Sequence, residues 1–172
     1  MTNQKFDRDS TITSLLYLIS KAHGKIDYYT LVKLMYFADK KHFHTWAHTI
    51  TGDIFARMPH GSTGSNTLDL LCAARGDTDY TKADITFAQH FFRFEPNNIV
   101  VALTEPDLDN LSDAEIDTLD KVYDQYAHLT FSELKRLAHD KAYNKRPNLH
   151  FMTYEDLAED NKALLDHLGF DN

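Results

Sequence analysis

The chain has 172 residues, a length that suits one domain with a core needing no covalent staple. Its formal charge of −8 argues against broad nucleic-acid binding, where phosphate contacts dominate affinity. A single cysteine excludes an intramolecular disulfide and fits a reducing compartment.

Met1 to Ser10 is polar, with no apolar stretch flanked by lysines, so no signal peptide is expected. No apolar run approaches the roughly 20 residues that span a bilayer, and the expectation is a soluble, cytoplasmic protein with no membrane partner. A first helix is predicted from about Thr11 to His23, with Ser10 as its cap and Gly24 at its stop. Asp27 should cap a second helix reaching His44 or Trp46. Its apolar residues cover more than one side, which places it centrally among several neighbours. Thr49–Met58 reads as extended chain, bent at Gly52 and ended by Pro59 and Gly61. Ser62 to Ala74 reads as a helix, with Leu68, Leu71 and Cys72 inward and Gly76 as its stop. Cys72, among leucines and alanine, is expected as a small buried hydrophobe.

Asp77–Ala88 is weakly patterned and reads as an irregular connection. Phe91–Phe94 and Ile99–Leu103 flank a Glu95-Pro96-Asn97-Asn98 turn and predict a hairpin, to which Thr49–Met58 is a candidate third strand. Ser112-Asp113-Ala114-Glu115 and Thr130-Phe131-Ser132-Glu133 are capping boxes. The first opens a helix with Ile116, Leu119, Val122, Tyr123 and Tyr126 inward; Leu134, Leu137 and Ala138 follow the second. Pro147 breaks the chain, and Thr153 should cap a final helix over 153–168. The fold class is mainly α within α+β: about six helices with a small antiparallel hairpin or three-stranded sheet. With no repeat and no Gly/Ser linker, residues 1–172 read as a single domain.

Charge is uneven along the chain. Residues 1–104 hold 11 lysines and arginines against 10 acids, and residues 105–172 hold 7 against 16. A solvated helical face explains any single carboxylate; the asymmetry as a whole would also suit a basic partner.

No catalytic constellation emerges. His44 and His48 stand four apart beside His42, but zinc needs three or four converging ligands, and Thr45 occupies the place of the zincin glutamate. These are expected to be ordinary surface or interface histidines, with no metal and no cofactor. Gly61-Ser62-Thr63-Gly64-Ser65 lacks the P-loop lysine and the nucleophile-elbow order. Asp53, after Gly52 and near Arg57, has no privileged second carboxylate and is expected to satisfy local amides. Phe91, Phe92 and Phe94 with only Arg93 read as sheet core rather than a base-stacking strand.

Three blocks in order carry a resemblance. Leu31-Val32-Lys33-Leu34-Met35-Tyr36-Phe37-Ala38-Asp39 with His42 resembles the signature "LQKLLYFAD…H". Ile50-Thr51-Gly52-Asp53-Ile54-Phe55-Ala56 resembles "ITGD.Y.A", and Leu111–Ile116 with Leu134, Leu137 and His139 resembles "LS..E…L…TH". Together they resemble the SocA-like antitoxin family, also called the Panacea domain and formerly the phage-associated GepA-like proteins, over about residues 10–145. Two places depart from the family: where Gly-Pro-Val is usual the chain reads His60-Gly61-Ser62, keeping Gly61 but not the proline, and Ala142-Tyr143 stands where Pro-Trp is usual.

The resemblance implies an antitoxin of a toxin–antitoxin system that binds a co-encoded protein toxin directly. Rival readings are an adaptor delivering the toxin to a protease, as one member of the family does, and a small metal-dependent hydrolase using the histidines with Asp53. Binding residues are expected among exposed members of Tyr28, Tyr29, Trp46, Phe55 and Arg57. The family-matched polar positions are Lys33, Tyr36, Asp39, His42, Asp53 and His139, several of which are expected to hold the fold. Direct nucleic-acid contact is not expected, and homo-oligomerisation is left open.

Overall fold

The computed structural model describes residues 4–170. Helix α1 (Arg8–Lys21) starts three residues before the predicted position, because Asp7 rather than Ser10 caps it, accepting from the Ser10 amide at 2.9 Å. Asp7 is also tied to Thr51 through its own amide. The helix ends in a Schellman arrangement: Gly24 N–H reaches the Ile19 carbonyl and His23 N–H that of Ser20. The chain passes into strand β1 (Lys25–Asp27) and then α2 (Tyr28–Trp46), capped by Asp27 as expected.

Helix α2 is the spine. Leu31, Leu34, Met35, Tyr36, Ala38 and Phe43 are fully buried or nearly so, and the helix touches α1, β3, α5, α6 and α8. A helix surrounded on this scale is hydrophobic on all sides except where a polar group has a built partner, which explains its composition.

The extended segment after α2 forms β2 (Phe55–Ala56), paired with β3 (Thr63–Gly64) in a separate two-stranded ribbon. It does not join the hairpin. The third strand of the main sheet is β1, in the order β1-β5-β4, with β4 (Phe92–Glu95) and β5 (Ile99–Ala102) forming the predicted hairpin. Asn97 and Asn98 both take positive φ, 65° and 57°, which asparagine tolerates better than most residues. Phe92 and Val100 are fully buried beneath the sheet.

Helix α3 (Ser65–Arg75) starts later than predicted, since Ser62–Gly64 is spent on β3, and it stops at Gly76. The predicted irregular stretch contains α4 (Lys82–Phe91), capped by Thr81. Its weak pattern has a physical cause: it lies on α3 and β4 and fully buries only Ala88. After a 3-10 turn (Leu108–Asn110), both predicted capping boxes open helices, α5 (Asp113–Tyr126) and α6 (Phe131–Ala138). Leu134 and Ala138 point inward, while Leu137 is exposed.

The C-terminal segment departs from expectation. A short α7 (Lys141–Asn144) precedes two helices, α8 (Tyr154–Ala158) and α9 (Lys162–His167), in place of one over 153–168. The break falls at Glu159, φ 55°, whose carboxylate accepts from Lys40 Nζ at 2.6 Å and from the Ala142 amide at 3.1 Å. Those bonds hold the chain out of helical geometry, and Asn161 caps the restart. The described residues thus contain nine α-helices rather than six, within the expected mainly α, α+β class. None is long and apolar enough to cross a membrane.

Candidate partner-binding site

Polar residues of α2 tie the flanking loops to the spine. Lys33 donates to the Gly61 and Ser62 carbonyls at 2.9 and 2.8 Å. Burial pushes its ammonium down to about 7, with Asp140 opposing. One turn on, Tyr36 donates to Asp140 at 2.7 Å, and burial first, then the Asp140 charge, drives its phenol well up. Lys40 reaches Asp140 and Glu159 at 2.8 and 2.6 Å. Asp39 accepts from the Thr51 amide and hydroxyl. Its carboxyl is raised to about 7 by burial, against the lowering effect of the Thr51 bonds.

Asp53 serves α3, as expected of a residue that satisfies local amides. Its two oxygens accept from the amides of Ile54, Asn66 and Thr67, from the Asn66 side chain and from the Thr67 hydroxyl. Helix α3 has no cap from Gly64, and a carboxylate at its N-terminus also suits the helix dipole. With both oxygens engaged this way, Asp53 acts as the cap of α3.

The histidines divide. His44 donates from Nε2 to the Leu157 carbonyl, accepts at Nδ1 from the Asn161 side-chain amide, and belongs to the C-terminal packing. His42 is not a surface residue: it is 1% exposed, with neither ring nitrogen hydrogen-bonded. Burial, then the neighbouring His48, lowers it to about 4. His48 is exposed, and the two rings are 4.7 Å apart. Together with Glu115 they form the one group of potential metal ligands found among the described residues.

The loop at His60–Ser62 is clamped between α2 and the end of α6. Gly61 takes φ +102°, and Ser62 N–H donates to the Ala138 carbonyl at 3.2 Å. Above this clamp three aromatic rings meet at the surface. Tyr29 lies 4.2 Å from Phe131, His60 lies 5.7 Å from Phe131 and 6.3 Å from Tyr29, and the Tyr29 hydroxyl donates to the His60 carbonyl. Phe131 is 50% exposed. Lys33 Nζ sits 5.2 Å over the Tyr29 ring.

Basic side chains gather beside this ledge. His139 stacks on Tyr143 at 4.2 Å, nearly parallel, and the Arg57 guanidinium lies 4.2 Å over the same Tyr143 ring. Burial lowers the His139 imidazole, and Lys135, Lys33 and Arg57 push it further the same way. Arg57 donates to the Arg146 carbonyl, but its Nε and His139 Nε2 are buried without a partner. Neither Arg57 nor Lys33 has a carboxylate in salt-bridge range among the described residues. Within an acidic protein this is a positive niche.

The acidic excess is less of a surface than its sequence total suggests. Asp117, Asp120, Asp140, Asp156, Glu159 and Asp160 are in salt bridges, and Glu115 and Glu133 close capping boxes.

A profile of the family described as "Antitoxin SocA-like, Panacea domain" matches residues 31–144. The chain belongs to this family. The Panacea domain gives it an antitoxin role in general terms. No curated protein and no solved structure shows significant similarity to it.

Of the expected binding residues of this Panacea domain, Tyr29 lies on the ledge and Arg57 in the niche. Tyr28 faces elsewhere, with Phe94, Arg75 and Cys72. Trp46 is 55% exposed but lies at the far end of α2 beside His42, and Phe55 is buried at 3% exposure, so it is no exposed anchor. Outside the expected set, His60 and Phe131 lie on the ledge and Tyr143 in the niche. Tyr143 falls at one departure from the family pattern, which was a usable signal; His60 precedes the Gly61 that is kept and carried none. Phe131 carried none, because it shares helical spacing with buried Leu134 and Ala138.

Proposed function

We propose that this domain neutralises a protein toxin by direct binding across the Tyr29–His60–Phe131 ledge, with the Arg57 guanidinium receiving an acidic or polar group of the toxin. The observation that carries this reading is the ledge itself: half-buried Tyr29 packed against the exposed rings of His60 and Phe131, with the Arg57 guanidinium in the niche beside them. Aromatic and arginine residues dominate binding energy at protein interfaces. A second exposed apolar group is made of Ile54, Leu149 and Phe151, of which Leu149 and Phe151 fall outside the family match. On this reading the chain acts by surface complementarity rather than bond-making, because its family-matched carboxylates and tyrosine are taken up in holding loops.

Co-expression with the product of the adjacent gene tests it. Growth rescue and co-purification are expected, with both lost in a Tyr29→Ala/Phe131→Ala double variant that stays folded. A toxic neighbour that never co-purifies with the wild-type chain would refute direct binding. Toxin half-life in protease-deficient cells separates sequestration, which leaves it unchanged, from proteolytic delivery, which lengthens it.

A further inference from the structure

We propose that His42, His48 and Glu115 form a binding site for one divalent transition-metal ion of the zinc class. One ligand atom from each lies within 4.8 Å of the others. They come from three places: the last turns of α2, the segment after the left-handed turn at Ala47, and the first turn of α5.

Three observations point to a ligand rather than a chance cluster. His42 is buried with both ring nitrogens unpartnered. An orphaned buried imidazole is costly, and a cation supplies the missing partner. His48 Nδ1 lies 3.3 Å from the Thr49 carbonyl, a contact that places the proton on Nδ1 and leaves the Nε2 lone pair for a metal. Glu115 uses one oxygen, Oε2, for the Ser112 amide and hydroxyl, which orients the carboxylate and leaves the other oxygen for coordination. Two imidazoles and a carboxylate make a nitrogen–oxygen set of the kind zinc accepts, with a further position open. Tetrahedral ligands stand about 3.4 Å apart at zinc–nitrogen distances near 2.0–2.1 Å. The exposed His48 side chain has the freedom to close that difference. A bound ion would pin the end of α2 to the start of α5.

Trp46, the sole tryptophan, lies 6.3 Å from the His42 ring and reports on the site. Untagged protein stripped with chelator is titrated with Zn2+ by calorimetry and by Trp46 fluorescence, and with Co2+ by visible absorption. One ion per chain, a fluorescence change and a raised thermal midpoint are expected. His48→Ala and Glu115→Gln should each weaken binding at least tenfold while circular dichroism is unchanged. No saturable binding at micromolar metal, or binding that His48→Ala leaves intact, would overturn the site.

Discussion

The β-carbon that Gly61 lacks would stand 2.6 Å from the β-carbon of Ala138. The loop beneath the ledge and the end of α6 are therefore in backbone-level contact, and the glycine also holds φ +102°. Gly61→Ala should destabilise by about 3 kcal/mol, combining overpacking with a strained φ. Urea unfolding measures it. Adding Ala138→Gly should restore part of that loss, because it relieves the clash and leaves the φ strain. A double variant as unstable as the sum of the two singles would show that the contact is not what limits this position.

Asp53→Ala removes the acceptor for the Ile54 amide and for two amides and two side chains at the start of α3. A loss of about 3 kcal/mol is expected, and Asp53→Asn should lose less because one oxygen still accepts. Hydrogen exchange should locate the loss in the first turn of α3. Exchange that rises uniformly across the chain would contradict a local capping role.

Lys33 gives a pH signature. Its folded value of about 7 lies below the unfolded value near 10.5, so the unfolded chain binds more protons between them, and stability rises with pH across that window. Between pH 7 and 9.5 the wild type should gain stability relative to Lys33→Met. That variant should itself be less stable than the wild type at both pH values, since the Gly61 and Ser62 carbonyls lose their donor. Parallel curves for the two proteins would remove the buried ammonium from the account.

How far the residues revealed this fold depends on where their bonds close. Asp27, Ser112 and Thr130 act within four residues, and their caps were legible. The Phe91–Leu103 hairpin was legible for the same reason, since its turn and both strands are contiguous. The split of the last helix was not legible, because Glu159 is held by Lys40, distant in sequence and near only after folding. Strand β1 is three residues long and gains its identity from β5. The site follows this rule too. Asp53 as a satisfier of backbone amides could be read from its setting, whereas the meeting of Tyr29, His60 and Phe131 joins three separate segments around α2.

The most direct test of the central claim is the affinity of the purified toxin for two single variants, measured by calorimetry. Phe131 and Phe151 are similarly exposed, at 50% and 60%, so truncation of either should perturb the fold little. Phe131→Ala should weaken binding about 30-fold, the scale of an interface anchor worth about 2 kcal/mol, and Phe151→Ala by less than twofold. Wild-type affinity in Phe131→Ala with a collapse in Phe151→Ala would move the toxin from the ledge to the Ile54, Leu149 and Phe151 group and contradict the ledge as the binding surface.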